Sequence, residues 1–244
     1  MHSRAIMNYT RQKLCPISHG TGPCPLYGPV ITGEFGEEER IELEKCAQVH
    51  IYPKGERILN NDSAPKSALI VLQGCLVVSQ IKGDGGRTIL RIAWAGDLVP
   101  FPFWGEGSET EIVCADSSTL CQIDLDKASE SSKLHKVIKA ELFDLTRKEI
   151  NLYRQRVMTL AGKNAGEQLA SFLVELLDRN AEGDNRIRLP ITRYDIGDYL
   201  GQNHATIARR FGSLKKEGII DLPTPWDVLI RDEQRLRLIA EGGG

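Results

Sequence analysis

Residues 191–220 read ITRYDIGDYLGQNHATIARRFGSLKKEGII, and this stretch decides the fold of the C-terminal part of the chain. Thr192 is a typical residue for capping the start of a helix, and Gly201 is the residue type that best adopts the positive φ at a helix end. Asn203 is placed to cap a second helix, which ends at Gly218. The spacing therefore predicts a short helix, a tight turn and a second helix, which together form a helix-turn-helix.

The two faces of these predicted helices differ in character. Apolar residues recur at helical spacing on the inward side: Ile196, Tyr199, Leu200, Ile207, Phe211 and Leu214. The outward side of the second helix carries His204, Ala205, Ala208, Arg209, Lys215 and Lys216. Residues 203–216 hold four fixed positive charges and no acidic residue. Because the second helix of this motif enters the major groove, the pattern predicts double-stranded DNA as a partner. A helix-turn-helix that only packs against protein, with a solvated basic face, is the alternative.

Two short apolar runs follow the second helix, at residues 219–222 and 228–231, on either side of Pro223-Thr224-Pro225. We interpret these runs as the two strands of a wing. The C-terminal part of the chain is therefore expected to be a winged helix-turn-helix.

The composition restricts where DNA binding can reside. The 244 residues carry 31 Lys and Arg against 33 Asp and Glu, which leaves a formal charge of −2. This balance excludes a chain that coats nucleic acid or anionic lipid with its whole surface, so such binding must come from a local patch. No apolar run reaches the ~18 residues of a membrane span, and residues 1–20 lack the apolar centre of a secretory signal. We therefore expect a cytoplasmic protein without membrane contact, whose six cysteines are reduced.

Between Val49 and Leu125 the sequence consists of short β-branched and aliphatic runs separated by turn signals. The runs are VHIY, RIL, ALIVL, CLVVSQI, TILRIAW, TEIVC and TLCQIDL. Many short strands at this spacing predict an antiparallel sandwich or barrel of the jelly-roll type. A short charged helix is expected before them, at residues 37–47.

After Asp126 the apolar period becomes helical over a long stretch. Phe143, Ile150 and Val157 fall seven apart, with Thr146, Tyr153 and Leu160 three beyond each. A second stripe consists of Leu134, Ile138, Leu142, Leu145 and Leu152. A helix with two apolar faces must bury both, and the simplest arrangement packs one face on its own β domain and the other on the same helix of a homodimer. The predicted dimer seam is Phe143, Ile150, Tyr153, Val157 and Leu160. A helix buried inside a monomer is the alternative.

The order of these parts resembles the CRP/FNR superfamily of bacterial transcription regulators, from about residue 35 to the end. The stretches DIGDYLG and KNAGEQLASFL, with AGDLV at residues 95–99, resemble its FNR-like branch in particular. The resemblance implies an α+β chain with four parts: a Cys-, Gly- and Pro-rich arm (1–34), a β-roll sensor domain resembling a cyclic-nucleotide-binding jelly roll (35–126), a dimerisation helix (127–162) and a winged helix-turn-helix (163–244). It also implies a homodimer on a two-fold-related DNA site, and a role as an activator with RNA polymerase as a further partner. No catalytic motif occurs, so an enzyme is not expected.

One departure from the family concerns the effector. Members that bind cyclic AMP carry Gly-Glu followed several residues later by an Arg that neutralises the cyclic phosphate. Here Gly105-Glu106 has no following Arg before Cys114. Because a buried phosphate without a cationic partner is costly, cyclic AMP is not expected to be the effector. There are two alternatives: a regulator controlled by its abundance alone, and a sensor module that binds haem or another small ligand.

A second departure lies in the recognition helix. Family members typically place Glu at the second outward position, and Ser or Gly before a following Arg. These places hold Ala205, Ala208 and Arg209, so only the Arg is retained. Loss of the carboxylate removes ~1–3 kcal/mol of discrimination at one base pair, which predicts a changed half-site where an alanine methyl packs on thymine.

The side chains expected to contact DNA fall into two groups. Arg209 is expected to read a guanine, because its guanidinium matches the two acceptors of that base. The secondary candidates for base contacts are His204, Gln202 and Asn203. The candidates for phosphate contacts are Thr192, Thr206, Arg210, Lys215 and Lys216.

The cysteines leave two hypotheses open. FNR-like proteins with a [4Fe-4S] cluster draw three ligands from a tight N-terminal cysteine run and a fourth from the β-roll, whose place Cys121 resembles. The arm of this chain offers only Cys15 and Cys24, separated by eight residues, with His19 between them. An iron–sulfur cluster or zinc site on these four residues, with a redox or oxygen response, is one hypothesis, and thiols without a cofactor are the other. Small buried hydrophobic roles are expected for Cys46, Cys75 and Cys114.

Overall fold

The structure, a computed structural model, describes residues 37–59, 67–83, 85–100, 110–130, 132–179 and 185–243. The first elements are α1 (Glu37–Cys46), β1 (Ala47–Tyr52), β2 (Arg57–Leu59), β3 (Ser67–Gln73), β4 (Cys75–Ile81), β5 (Arg87–Trp94), β6 (Leu98–Pro100), β7 (Thr110–Cys114) and β8 (Ser118–Asp124). Three helices follow: α2 (Leu125–Glu130), α3 (Ser132–Gly162) and α4 (Ala165–Asp178). The last elements are β9 (Arg186–Arg188), α5 (Arg193–Leu200), α6 (His204–Lys216), β10 (Ile220–Thr224), β11 (Asp227–Ile230) and α7 (Glu233–Ala240). The predicted arm and Gly105-Glu106 lie outside the described residues.

Contacts between Cα atoms divide the chain into two units. The first runs to Lys148 without Arg87–Ile89, and the second comprises Arg87–Ile89 together with the chain from Glu149 onward. The division falls within α3, so this helix contributes residues to both units.

The strands of the first unit form two four-stranded antiparallel sheets, in the orders β1-β8-β3-β6 and β2-β7-β4-β5. Val49 lies opposite Cys121 in the first sheet, and Leu76 lies opposite Cys114 in the second. One core cluster joins residues of both sheets: Leu69, Val71, Leu76, Val78, Ala93, Val99, Ile112, Cys114 and Leu120. The predicted jelly-roll type of β domain is confirmed. Strand β6 was not expected, because its three residues directly follow the turn signal Gly96-Asp97.

A second core cluster covers the other face of the first sheet. Leu43 and Cys46 of α1, with Ala128 of α2, pack against sheet residues. The sheet residues of this cluster are Ala47, Ala68, Ile70, Leu98, Cys121 and Ile123. The first sheet is therefore buried on both faces, which is why β3 has five consecutive buried residues instead of an alternating pattern.

Helix α3 is 31 residues long and carries an exposed apolar stripe. The exposed fraction is 73% for Phe143 and 62% for both Ile150 and Val157. Leu160 is 37% exposed, and Tyr153 is half-buried. The first predicted stripe thus lies on the surface of the single chain. In the second predicted stripe, Leu152 is 37% exposed. The side chains of its other members, Leu134, Ile138, Leu142 and Leu145, lie outside what the structure describes.

The second unit has its own core, built around α4. Leu169 and Leu173 of α4 are completely buried, and the side chain of Asn164 caps the helix in a reciprocal box with Glu167. Helix α3 ends at Gly162, so Lys163 and Asn164 separate it from α4. A three-stranded sheet in the order β10-β11-β9 forms the wing. The sequence indicated β10 and β11, but neither β9 nor α7. None of the helices in the described part of the chain has the length and apolar character needed to cross a membrane.

Candidate nucleic-acid interface

The predicted caps of the helix-turn-helix are confirmed. The backbone N–H of Asp195 donates to Thr192 Oγ1 over 3.1 Å, and the N–H of Thr192 donates to Asp195 Oδ2 over 2.8 Å. Helix α5 ends at Gly201 in the left-handed conformation, with φ of 64°. The side chain of Asn203 accepts a hydrogen bond from the Thr206 N–H at 2.8 Å, which starts α6. Each helix start thus has a side chain that satisfies an otherwise unpaired backbone donor.

The turn between the helices depends on a close backbone contact. A Cβ atom on Gly197 would lie 2.6 Å from the carbonyl oxygen of Gln202, a distance that real side chains do not tolerate. The N–H of Gln202 also donates to the carbonyl of Gly197 at 2.9 Å. Only glycine at position 197 allows the turn to pack this tightly on α5.

Helix α6 has one buried and one exposed face. The exposed fractions of Ile207, Phe211 and Leu214 are 0%, 2% and 5%, so these side chains anchor the helix in the core. The exposed residues of α6 include His204, Ala205, Ala208, Arg209, Arg210, Lys215 and Lys216. Because all four fixed charges of the helix are exposed and positive, this face attracts a polyanion.

Arg209 lies along the exposed face of α6. Its Nε atom donates to the carbonyl of Ala205 at 3.4 Å, and Nη2 donates to Thr206 Oγ1 at 3.2 Å. These bonds use two of the five donors of the guanidinium. The side chain is therefore placed over the first two turns of α6, next to the exposed methyl of Ala205.

His204 is stacked on a residue that the sequence analysis did not single out. Its ring centroid lies 4.2 Å from that of Tyr194, with an angle of 17° between the ring planes. Tyr194 is 61% exposed. The signal available in the sequence was an aromatic residue at an outward position of the first helix.

Gln202 is turned toward the protein. Its Nε2 atom donates to Oε1 of Gln168 at 3.1 Å. Gln168 is 2% exposed, and its own amide donates to the carbonyls of Leu160 and Lys163 at 3.3 and 3.0 Å. This contact links the turn to the end of α3, and the base contact of Gln202 stays a prediction.

One of the predicted phosphate contacts, Lys215 of α6, lies next to an acidic residue of the wing. Lys215 Nζ lies 3.3 Å from Oδ1 of Asp221, and Arg231 Nη2 lies 3.5 Å from its Oδ2. A hydrogen bond from the N–H of Leu222, followed by the contact with Lys215, keeps the pKa of Asp221 below its ordinary value. The Asp221 carboxylate therefore lies between Lys215 and Arg231 at the surface of the wing.

Two arginines of the second unit pack over aromatic rings. The guanidinium of Arg193 lies 3.6 Å from the ring centroid of Phe211, and burial lowers its pKa to about 10. Arg156 of α3 donates to the carbonyl of Tyr199 at 2.7 Å and lies 4.1 Å from the centroid of its ring. Neither was selected from the sequence, because a lone arginine on a helix is typical of a solvated face. Together they fix α5 against α6 and against the end of α3.

The four described cysteines are all buried. Cys46, Cys75, Cys114 and Cys121 are free thiols, and all four are buried. Cys121 is 1% exposed and lies in the same core cluster as Cys46. Among the described side chains, no group of three His, Cys, Asp or Glu residues is arranged to hold a metal ion. Cys15, His19 and Cys24 lie outside the described residues, so the metal site remains a prediction.

A capped helix-turn-helix with an exposed basic second helix and a wing defines a class of DNA-binding proteins. Comparison with known proteins agrees with this class. Residues 167–239 match the model of the Crp-like helix-turn-helix domain. Transcriptional activator protein FnrL of Cereibacter sphaeroides is 24% identical over 237 residues, which cover 93% of this chain and 94% of that protein.

Two further similarities define the family and the fold. The fumarate and nitrate reduction regulatory protein of Escherichia coli K12 is 30% identical over 171 residues, 68% of each chain. The solved structure of FixK2 from Bradyrhizobium japonicum matches 79% of this chain and 96% of that chain, with a TM-score of 0.70 and 24% identity. The chain belongs to the CRP/FNR superfamily, in its FNR-like branch. It is a DNA-binding transcription regulator, as the sequence predicted.

Proposed function

We propose that two copies of this chain pair through α3 and present their α6 helices to a two-fold-related DNA site. The exposed stripe of Phe143, Ile150 and Val157 supports this pairing, because a row of large apolar side chains facing water is costly in a single chain. Tyr153 and Leu160 extend the seam. A dimer places two recognition helices about one helical turn of DNA apart, which a single copy cannot do.

On each half-site, Arg209 reads a guanine and His204 contacts a neighbouring base. The exposed guanidinium over the first turns of α6 is the single observation that carries this assignment. Asn203, next to His204 at the start of α6, is a further candidate for a base contact. Thr192 and Thr206 lie at or near the starts of α5 and α6, where backbone N–H groups favour phosphates. Arg210, Lys215 and Lys216 add the positive charge that makes binding strong and salt-dependent. Gln202 supports the turn through Gln168.

The dimer activates transcription through contact with RNA polymerase, and it acts in the cytoplasm. The relative FnrL is named a transcriptional activator, which supports this direction of regulation. Cyclic AMP is not its effector, since Gly105-Glu106 is not followed by a neutralising Arg before Cys114.

Selection from a library of duplexes with a randomised core tests this function. The full-length protein is expected to enrich one motif that is two-fold symmetric, with a G·C pair in each half-site. The half-site is expected to lack the base pair that a glutamate at position 205 would specify. An unenriched library, or enrichment of an asymmetric single motif, would contradict the proposal.

A further inference from the structure

Tyr194 and His204 form an aromatic pair on the surface of the helix-turn-helix. The ring centroids are 4.2 Å apart, and the planes differ by 17°. Tyr194 is the second residue of α5 and His204 is the first of α6, so the pair joins the starts of the two helices. Because Tyr194 remains 61% exposed, the pair lies outside the hydrophobic core.

The stack restricts the imidazole of His204. Contact with a flat partner over one face limits rotation of the ring about its side-chain bonds. The edge of an imidazole carries one donor and one acceptor nitrogen, and hydrogen bonds weaken steeply when donor and acceptor are misaligned. A ring held in one plane is therefore better suited to read the edge of a base than a freely rotating ring.

The residues around His204 at the start of α6 are less able to hydrogen-bond a base. Ala205 and Ala208 present only methyl groups at the outward positions. The side-chain oxygen of Asn203 is used in capping α6, and the amide of Gln202 is bonded to Gln168. At the start of α6, His204 is thus the side chain best placed to hydrogen-bond a base.

We propose that Tyr194 is a positioning residue for specificity, which orients His204 so that it reads one base pair of each half-site. This proposal rests on the DNA-reading function proposed above. Tyr194 itself does not read a base. Its effect on base preference passes through His204, and it requires the aromatic ring but not the hydroxyl group.

The test measures base preference with the full-length protein. The duplex selected by the unaltered protein is compared with duplexes in which each half-site base pair is changed symmetrically. We expect H204A to remove discrimination at one base pair, a change of about tenfold. We expect Y194A to weaken discrimination at that same base pair by about two- to tenfold. Y194F should keep it, and Y194A/H204A should behave like H204A alone.

Two results would overturn this proposal. Unchanged base preference in Y194A would show that the stack has no effect on reading. An equal loss on all duplexes, shared by Y194F, would make Tyr194 a phosphate contact through its hydroxyl group. Melting temperatures check folding, and Y194Q replaces Y194A should the alanine variant unfold. Failure of the unaltered protein to select any site would instead overturn the proposed function itself, so the two failures are distinguishable.

Discussion

The backbone of Gln202 approaches α5 at Gly197 so closely that a Cβ atom there would lie 2.6 Å from the Gln202 carbonyl oxygen. Gly197→Ala must therefore push the turn away from α5. We expect this substitution to lower the free energy of unfolding by more than about 1 kcal/mol, because relieving the contact requires the backbone of the turn to move. Denaturant titration at fixed protein concentration measures the change.

Gly212 provides the matched control in α6. A Cβ atom at this position meets nothing within 4 Å. Since glycine is unfavourable inside a helix, Gly212→Ala should raise the free energy of unfolding by about 0.5–1 kcal/mol. Equal effects of the two substitutions would show that the Gly197 contact does not constrain the turn.

Substitutions of Arg209 and of its neighbour Arg210 distinguish base reading from binding by charge alone. Arg209→Ala should cost ~1–3 kcal/mol in binding to the selected site and flatten the preference at one base pair. Arg210→Ala should weaken binding to all duplexes alike and reduce the dependence of log K on log salt by about one. Fluorescence anisotropy with selected and random duplexes over a range of salt measures both. An equal loss on selected and random DNA for Arg209→Ala would make it a phosphate contact instead.

If the exposed stripe of α3 is the dimer seam, a charge introduced there should prevent dimerisation. Ile150 is 62% exposed in the single chain, so Ile150→Glu leaves the fold of that chain intact. In the dimer the new carboxylate would be buried near its symmetry mate, which is strongly unfavourable. Analytical ultracentrifugation should find this variant monomeric. Gln155→Glu, at an exposed position outside the seam, should remain dimeric, and a dimeric Ile150→Glu would contradict the predicted seam.

The thiol of Cys114 should be unreactive in the folded protein. Burial, opposed in part by a hydrogen bond with Ser118, raises its pKa from 9.0 to about 11. At about pH 8 the thiolate, which is the reactive form, is therefore scarcer than in an unfolded chain. Mass spectrometry after iodoacetamide treatment should find Cys114 unlabelled in native protein and labelled in denaturant. The labelling rate of the native protein should increase as the pH rises toward 11. Equal labelling rates in native and denatured protein at about pH 8 would contradict a buried thiol with a raised pKa.

Local sequence signals were sufficient for much of the fold. Thr192, Gly201 and Asn203 act within a few residues of themselves, so their capping roles could be predicted and are confirmed. The runs that became β3 and β4 were recognisable because strands buried on both faces are continuously apolar. Strand β9 and helix α7 were missed, because three residues pairing with β11 and a charged C-terminal helix have weak patterns of their own.

Contacts between distant residues could not be predicted from the sequence. The sequence does not indicate that Gln168, 34 residues away, accepts a hydrogen bond from the side-chain amide of Gln202. Tyr194 and His204 stack across the turn, and no periodic pattern indicates such a pair. The exposed basic face of α6 was predictable, whereas the orientation of each side chain on it depends on these tertiary neighbours.

The number of chains bound to each selected duplex shows whether the regulator reads DNA as a symmetric pair. Sedimentation equilibrium with a labelled duplex, in the presence of excess random competitor, gives the number of chains bound to each duplex. We expect two chains per symmetric duplex, and a smaller bound fraction at the same protein concentration when Arg209 is replaced by alanine in both copies. A single bound chain would rule out the paired arrangement, and a complex that random competitor removes as readily as the selected duplex does would rule out sequence-specific binding.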